Sequence, residues 1–177
     1  MKEFIDTEMV VHVGLCTHKL PENVLVVDSD KYVEEVKKHY ESDVKSCETS
    51  SLEKMDNNSF DVVLANISSN PVTFAHINRV LKDDGLVVIA DVNVDDVETT
   101  KPMLEILGKY FKIVMPYNKA DGKMALICSK EYHPTADVIL QRTDLLDGLN
   151  YYNCDVHVGS FAMGNYVRKE YLGIVKN

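Results

Sequence analysis

The residues with chemical potential stand where apolar runs stop. Asn23-Val24-Leu25-Val26-Val27 ends abruptly in Asp28-Ser29-Asp30. Two carboxylates and a hydroxyl at that point can hold sugar hydroxyls or an amine, or can cap a helix that follows. Glu48 closes a weaker run and is a candidate ligand contact or a solvated strand end. Phe60-Asp61-Val62-Val63-Leu64-Ala65 breaks at Asn66, and Asn70 precedes Pro71. Amides take no proton at neutral pH, so these two can only orient a ligand by hydrogen bonds or cap a turn and a helix. The six histidines show no HxxxH-type spacing and the four cysteines form no CxxC pair, so the sequence predicts no metal. No GxSxG or nucleophilic cysteine motif is present. His12 reads as a packed helix residue, and Tyr151 and Tyr152 read as core aromatics.

The elements that must position these residues follow from periodicity. Residues 3–17 carry Phe4, Ile5, Met9, Val10, Val13 and Leu15 at helical spacing, with Pro21 marking the turn beyond. Residues 24–28 form a short run rich in β-branched side chains, expected as a strand buried on both faces of a parallel sheet. A helix is expected at 31–40, with Ser29 or Asp30 as its cap and Glu34 early in it, where the helix dipole favours an acid. A weaker strand at 43–48, a short helix at 50–55 and a turn at 56–59 come next. Further strands are expected at 60–65 and 86–90, around a helix at 72–81 closed by Asp83-Asp84-Gly85. A helix at 94–110 contains Pro102, which can kink it. Strands 111–117 and 123–128 read as an antiparallel hairpin around Asp121-Gly122. Helices are expected at 135–149 and 166–174. Strands that alternate with helices and end in a hairpin give an α/β fold, a mostly parallel sheet with a reversed edge. In such sheets ligands bind at the carboxyl ends of the strands, where Asp28-Ser29-Asp30 lies. No glycine stands between Val24 and Tyr40, although a nucleotide loop usually needs one for close backbone approach.

The totals bound the function. A chain of 177 residues with 45% apolar content suits one globular domain. The formal charge of -9 argues against nucleic acid as the main partner, since phosphate binding needs a basic face. It is compatible with a cationic small molecule. The longest apolar runs are strand-sized, so no membrane partner is expected. Acids at Glu3 and Asp6 argue against a signal peptide, and the scattered cysteines read as reduced thiols, so a cytoplasmic location is expected.

Three stretches add a resemblance. Glu3-Phe4-Ile5-Asp6-Thr7-Glu8-Met9-Val10-Val11-His12-Val13 resembles the "EFIYHEMLVHVPL" helix of the spermidine synthases. Phe60-Asp61-Val62-Val63 through Asn70-Pro71, then Leu81-Lys82-Asp83-Asp84-Gly85, resembles their "YDVIIVDSTDP…LKEDG". Asn150-Tyr151-Tyr152-Asn153-Cys154-Asp155-Val156-His157 and the residues to Met163 resemble the "RYYNxDVHRAAFxLP" tail, the most specific of the three. The resemblance covers nearly the whole chain and implies a Rossmann-like, S-adenosylmethionine-methyltransferase-like fold over residues 1–177. It implies transfer of an aminopropyl group from decarboxylated S-adenosylmethionine, as co-substrate and not as a permanently bound cofactor, to putrescine. Carried over by position, Asn66 and Asn70 stand at the family's catalytic acids. Asp28, Ser29 and Asp30 stand at its glycine-rich loop, and Glu48 lies near its "GDA" acid. Tyr117, placed at the end of the fifth strand, lies beside its substrate tyrosine. Asp6 and Thr7 replace the tyrosine and the following His or Gln of the first helix. His157 is expected as a structural contact of the tail. Two readings follow. In one, the chain is an enzyme with a site rebuilt from Asp28, Asp30, Glu48 and Tyr117. In the other, it is a non-catalytic relative that serves as a binding or assembly partner. In either case a polyamine or nucleoside ligand and a homodimer or larger assembly are expected.

Overall fold

A computed structural model describes residues 3–120 and 122–177. Six strands form one sheet in the order β2-β1-β3-β4-β6-β5. They are β1 (Asn23–Val27), β2 (Asp43–Cys47), β3 (Phe60–Ala65), β4 (Leu81–Val92), β5 (Ile113–Ala120) and β6 (Lys123–Ser129). β2, β1, β3 and β4 run parallel, while β6 lies antiparallel to both β4 and β5. The mostly parallel α/β sheet with its reversed edge is therefore present, and β3 sits inside it. Asp121, in the hairpin turn, lies outside the described residues.

Both faces of this sheet are covered, which is why its central strands are apolar without alternation. Leu25, Val27, Val63, Val87 and Ile89 pack on one side against Phe74 and Ile77 of α3 (Pro71–Val80) and Leu104 and Leu107 of α4 (Val97–Tyr110). Val24, Val26, Val62, Leu64 and Val88 pack on the other against α1 (Glu3–Thr17) and α2 (Asp30–His39). Every residue of α1 from Thr7 to Thr17 is buried, so this helix is covered all round. Gly14 lets it approach the sheet: a Cβ there would lie 3.0 Å from Val88 Cγ2 and 3.2 Å from Leu64 Cδ2.

Several boundaries differ from the sequence expectation. The strand expected at 86–90 extends over Leu81–Val92, because Leu81 already pairs with Phe60. The region expected as a helix at 135–149 is helical only in α5 (Leu140–Asp144). Side chains capture the backbone before it: Asp137 accepts from the N–H of His133, and His133 Nδ1 accepts from the N–H groups of Thr135 and Ala136. The N–H of Ile139 is then tied to the carbonyl of Cys16, and the Arg142 guanidinium donates to the carbonyls of Leu15, His18 and Lys19 at the end of α1. The last elements are α6 (Cys154–Ser160) and α7 (Asn165–Glu170), the latter shorter than the expected 166–174. Pro102 lies inside α4, which continues through it.

Candidate functional site

The parallel strands bring their carboxyl ends together, and the residues singled out in the sequence stand along that edge. The N–H of Asp28 donates to Cys47 O at 3.1 Å, and that of Asn66 donates to Val27 O at 3.1 Å. Asp28, Asn66 and Glu48 thus follow directly on three adjacent strands, and all three are exposed. Asp28 has φ 56°, a left-handed conformation that aspartate tolerates better than most residues. It makes the turn that a glycine would otherwise make. Its carboxylate accepts from Thr49 N at 3.2 Å and from Thr49 Oγ1, at the start of the 3₁₀ turn Thr49–Lys54. Glu48 accepts from Ser50 Oγ at 3.4 Å. Ser29 occupies the cap position of α2 without a side-chain cap bond, and Asp30 is the first residue of the helix. Asn70 caps α3, accepting from Val72 N at 2.9 Å and Thr73 N at 3.5 Å.

Tyr117 corrects a sequence placement. Strand β5 runs on to Ala120, so Tyr117 lies mid-strand and fully buried, and its hydroxyl donates to Met9 O at 3.1 Å. The residue that reaches the strand ends is Lys119, two positions further and therefore on the same face. Its side chain is 0% exposed. Its ammonium donates to Asp6 Oδ1 at 2.5 Å, Ala90 O at 2.5 Å and Asp91 Oδ1 at 2.7 Å. The other oxygen of Asp6 accepts from Lys31 Nζ at 2.6 Å and the Tyr32 hydroxyl at 3.0 Å. Burial raises the pKa of Asp6, but the hydrogen bonds and charges of Lys119 and Lys31 outweigh it and hold the carboxyl below its usual range. Two carboxylates and a carbonyl around one alkylammonium are the acceptor set that a protonated primary amine needs. Sequence reasoning missed this group, since its members come from α1, α2, β4 and β5. One signal was present: a lysine at an inward-facing position of an apolar strand.

The two outermost resembling stretches meet at Glu8. Its side chain is buried in α1, and its carboxylate accepts from the N–H groups of Asn150 (2.8 Å), Tyr151 (2.7 Å) and Tyr152 (2.9 Å). Beyond it, His157 Nε2 lies 2.8 Å from Pro134 O, which can only accept, so Nε2 carries the proton. The Tyr152 hydroxyl therefore donates to His157 Nδ1 at 2.7 Å. Burial pushes the pKa of His157 down to about 4, against a smaller opposing effect of Pro134 O. Asn118 of β5 donates to the carbonyls of Ser160 and Ala162. The tail is thus fastened over α1 and β5, with His157 as a structural contact. His12 is fully buried, as a packed helix residue.

No family model matches the chain. The polyamine aminopropyltransferase of Helicobacter acinonychis (strain Sheeba) is 25% identical over 193 residues, which cover 90% of this chain and 73% of that protein. Among solved structures, a spermidine synthase in complex with the transition state analogue AdoDATO superposes with a TM-score of 0.83 at 22% identity, over 95% of this chain and 75% of the other. The spermidine synthase from Thermotoga maritima gives a TM-score of 0.75 at 22% identity, over 95% and 74%.

Proposed function

We propose that this chain, a divergent spermidine synthase-like protein, transfers an aminopropyl group from decarboxylated S-adenosylmethionine to putrescine or a related amine. The observation that carries the reading is the line of Asp28, Glu48 and Asn66 on three adjacent parallel strand ends, beside the ammonium-holding pair Asp6 and Asp91. A solved spermidine synthase of the same fold takes the transition state analogue AdoDATO, which suits a nucleoside ligand for this chain as well. The similarity to polyamine aminopropyltransferases of Helicobacter favours catalysis over a purely binding role.

In this reading Asp28, Ser29, Asp30 and Glu48 bind the nucleoside side, with Asn66 orienting it and Asn70 fixing the start of α3. Tyr117, fully buried, acts only indirectly, by tying β5 to α1 through Met9 O. The amine side belongs to the exposed oxygen of Asp91, whose Oδ1 is held by Lys119, while Asp6 is taken up by Lys119, Lys31 and Tyr32. The neutral amine attacks the carbon next to the sulfonium; the C–N bond forms, the C–S bond breaks, methylthioadenosine leaves, and the nitrogen's proton passes to a carboxylate. Asp91 is suited to that last step because its side chain is 62% exposed, whereas Asn66 and Asn70 cannot accept a proton. The co-substrate is released as product, so no permanently bound cofactor is required. The domain spans residues 1–177 in this proposal.

Location and assembly belong to the same reading. All four cysteines are free thiols, which suits the cytoplasm. No helix among the described residues is long and apolar enough to cross a membrane. A homodimer or larger assembly is part of the same proposal, and Leu145 at 80%, Leu172 at 84% and Tyr166 at 68% exposure are the apolar side chains open to a partner. The test is product formation: purified chain, decarboxylated S-adenosylmethionine and putrescine, with methylthioadenosine followed by chromatography. Enzyme-dependent product that is lost in a folded Asp28→Asn variant supports the site. Turnover unchanged in that variant refutes the assignment of Asp28.

A further inference from the structure

Away from the strand ends, α1 and α2 bring three metal-binding side chains to one point. His12 Nε2 lies 3.0 Å from Glu35 Oε1, and His39 Nε2 lies 3.2 Å from the same oxygen. All three donor atoms fall within 4.8 Å of one another. Glu35 and His39 are four residues apart on α2 and so share a face; His12 comes from the neighbouring helix. Donors each ~2.0–2.2 Å from a tetrahedral zinc ion stand roughly 3.3 Å apart, close to the two separations seen here.

Two further observations point to a ligand. The His39 side chain is only 7% exposed, yet its Nε2 makes no hydrogen bond, despite the nearby carboxylate. A buried ring nitrogen without a partner is costly unless something else satisfies it. The support around the cluster also fits a metal. His12 Nδ1 lies 2.8 Å from the Tyr40 hydroxyl, leaving Nε2 to act as a donor to a metal once Nδ1 holds the proton. The Tyr40 hydroxyl oxygen can accept that proton's hydrogen bond.

We propose that His12, Glu35 and His39 form a site for a divalent transition-metal ion of the zinc type. Glu35 alone of the three also lines an open groove of about 380 Å³, with Glu3, Glu8 and Glu34. The bound ion ties α1 to α2. Lys31 and Lys38 line the same groove and oppose the cation, so affinity rests on the three ligands and not on the groove's charge.

The experiment uses the full chain, freed of any affinity tag and treated with chelator. Zinc chloride is titrated by calorimetry, and cobalt chloride is added in parallel for its absorption spectrum. One equivalent of zinc should bind and raise the thermal midpoint. The cobalt spectrum should show nitrogen and oxygen ligands without a thiolate charge-transfer band. His39→Gln, matched in size, and Glu35→Gln should each weaken zinc by about 100-fold or more, and Tyr40→Phe by about 10-fold, the scale of outer-sphere support. Circular dichroism confirms that each variant is folded. No stoichiometric binding, a thiolate band, or equal affinity in folded His39→Gln overturns the site. If a variant does not fold, the cobalt spectrum of the parent chain decides alone.

Discussion

Glu8→Ala tests how the tail is held. The carboxylate of Glu8 accepts from three consecutive backbone N–H groups, of Asn150, Tyr151 and Tyr152, and its side chain is buried. Removing it leaves three donors facing a small cavity. A buried donor left without a partner costs about 1–3 kcal/mol, and charge-assisted bonds lie at the upper end. Partial entry of water limits the total, so a loss of roughly 3–5 kcal/mol is expected, a large fraction of a domain's stability. Tyr152 and His157 depend on the same segment, through their mutual bond and Pro134 O. The tail should therefore loosen before the sheet does. Urea unfolding measures the loss, and limited proteolysis should cut within residues 145–160 in the variant earlier than in the parent chain. Glu8→Gln keeps one acceptor oxygen and should lose about half as much. A Glu8→Ala chain within about 0.5 kcal/mol of the parent, with an unchanged proteolysis pattern, would refute the clamp.

Lys119→Ala should cost about 3 kcal/mol, because Asp6 and Asp91 lose the buried ammonium between them. Millimolar propylamine or putrescine should restore part of the thermal midpoint in that variant and not in the parent; an equal response in both would count against an amine-holding pair. His157 is neutral when folded, with its pKa pushed down to about 4 from an unfolded 6.5. Its contribution is therefore full above pH ~6.5 and is lost as pH falls towards 4, by up to about 3 kcal/mol. Unfolding free energies measured across that window should slope for the parent and flatten in His157→Gln, whose amide can keep both partners; parallel slopes would refute the role of this residue. Sedimentation at tens of micromolar should show a dimer or larger species, and a monomer would contradict the proposed assembly.

The sheet was legible because its strands are covered on both sides. The runs in β1, β3 and the centre of β4 are continuous and rich in β-branched residues, a pattern that a helix packed on one face does not produce. The full burial of α1 was not legible, since it depends on the tail that covers it. The stretch before α5 was misread because its spacing looks helical, while His133 and Asp137 use their side chains to bond the local backbone. At the site, Asp28, Glu48 and Asn66 could be placed as strand ends from local pattern alone. The group around Lys119 could not, because Asp6, Asp91 and Lys119 lie far apart along the chain. Only strand parity links Lys119 to Tyr117. The same holds for His12 with Glu35 and His39: a spacing rule sees four residues on one helix but not the ligand supplied by another.

The central claim is aminopropyl transfer at the carboxyl edge of the sheet. Its most direct test is single-turnover formation of methylthioadenosine from decarboxylated S-adenosylmethionine, with and without putrescine, using the parent chain and a folded Asp91→Asn variant. The account predicts putrescine-dependent product in the parent and a fall of about 10²-fold or more in Asp91→Asn, the usual scale of general-base assistance. No putrescine-dependent product from the folded parent chain, at enzyme concentrations above those of the co-substrate, would contradict it.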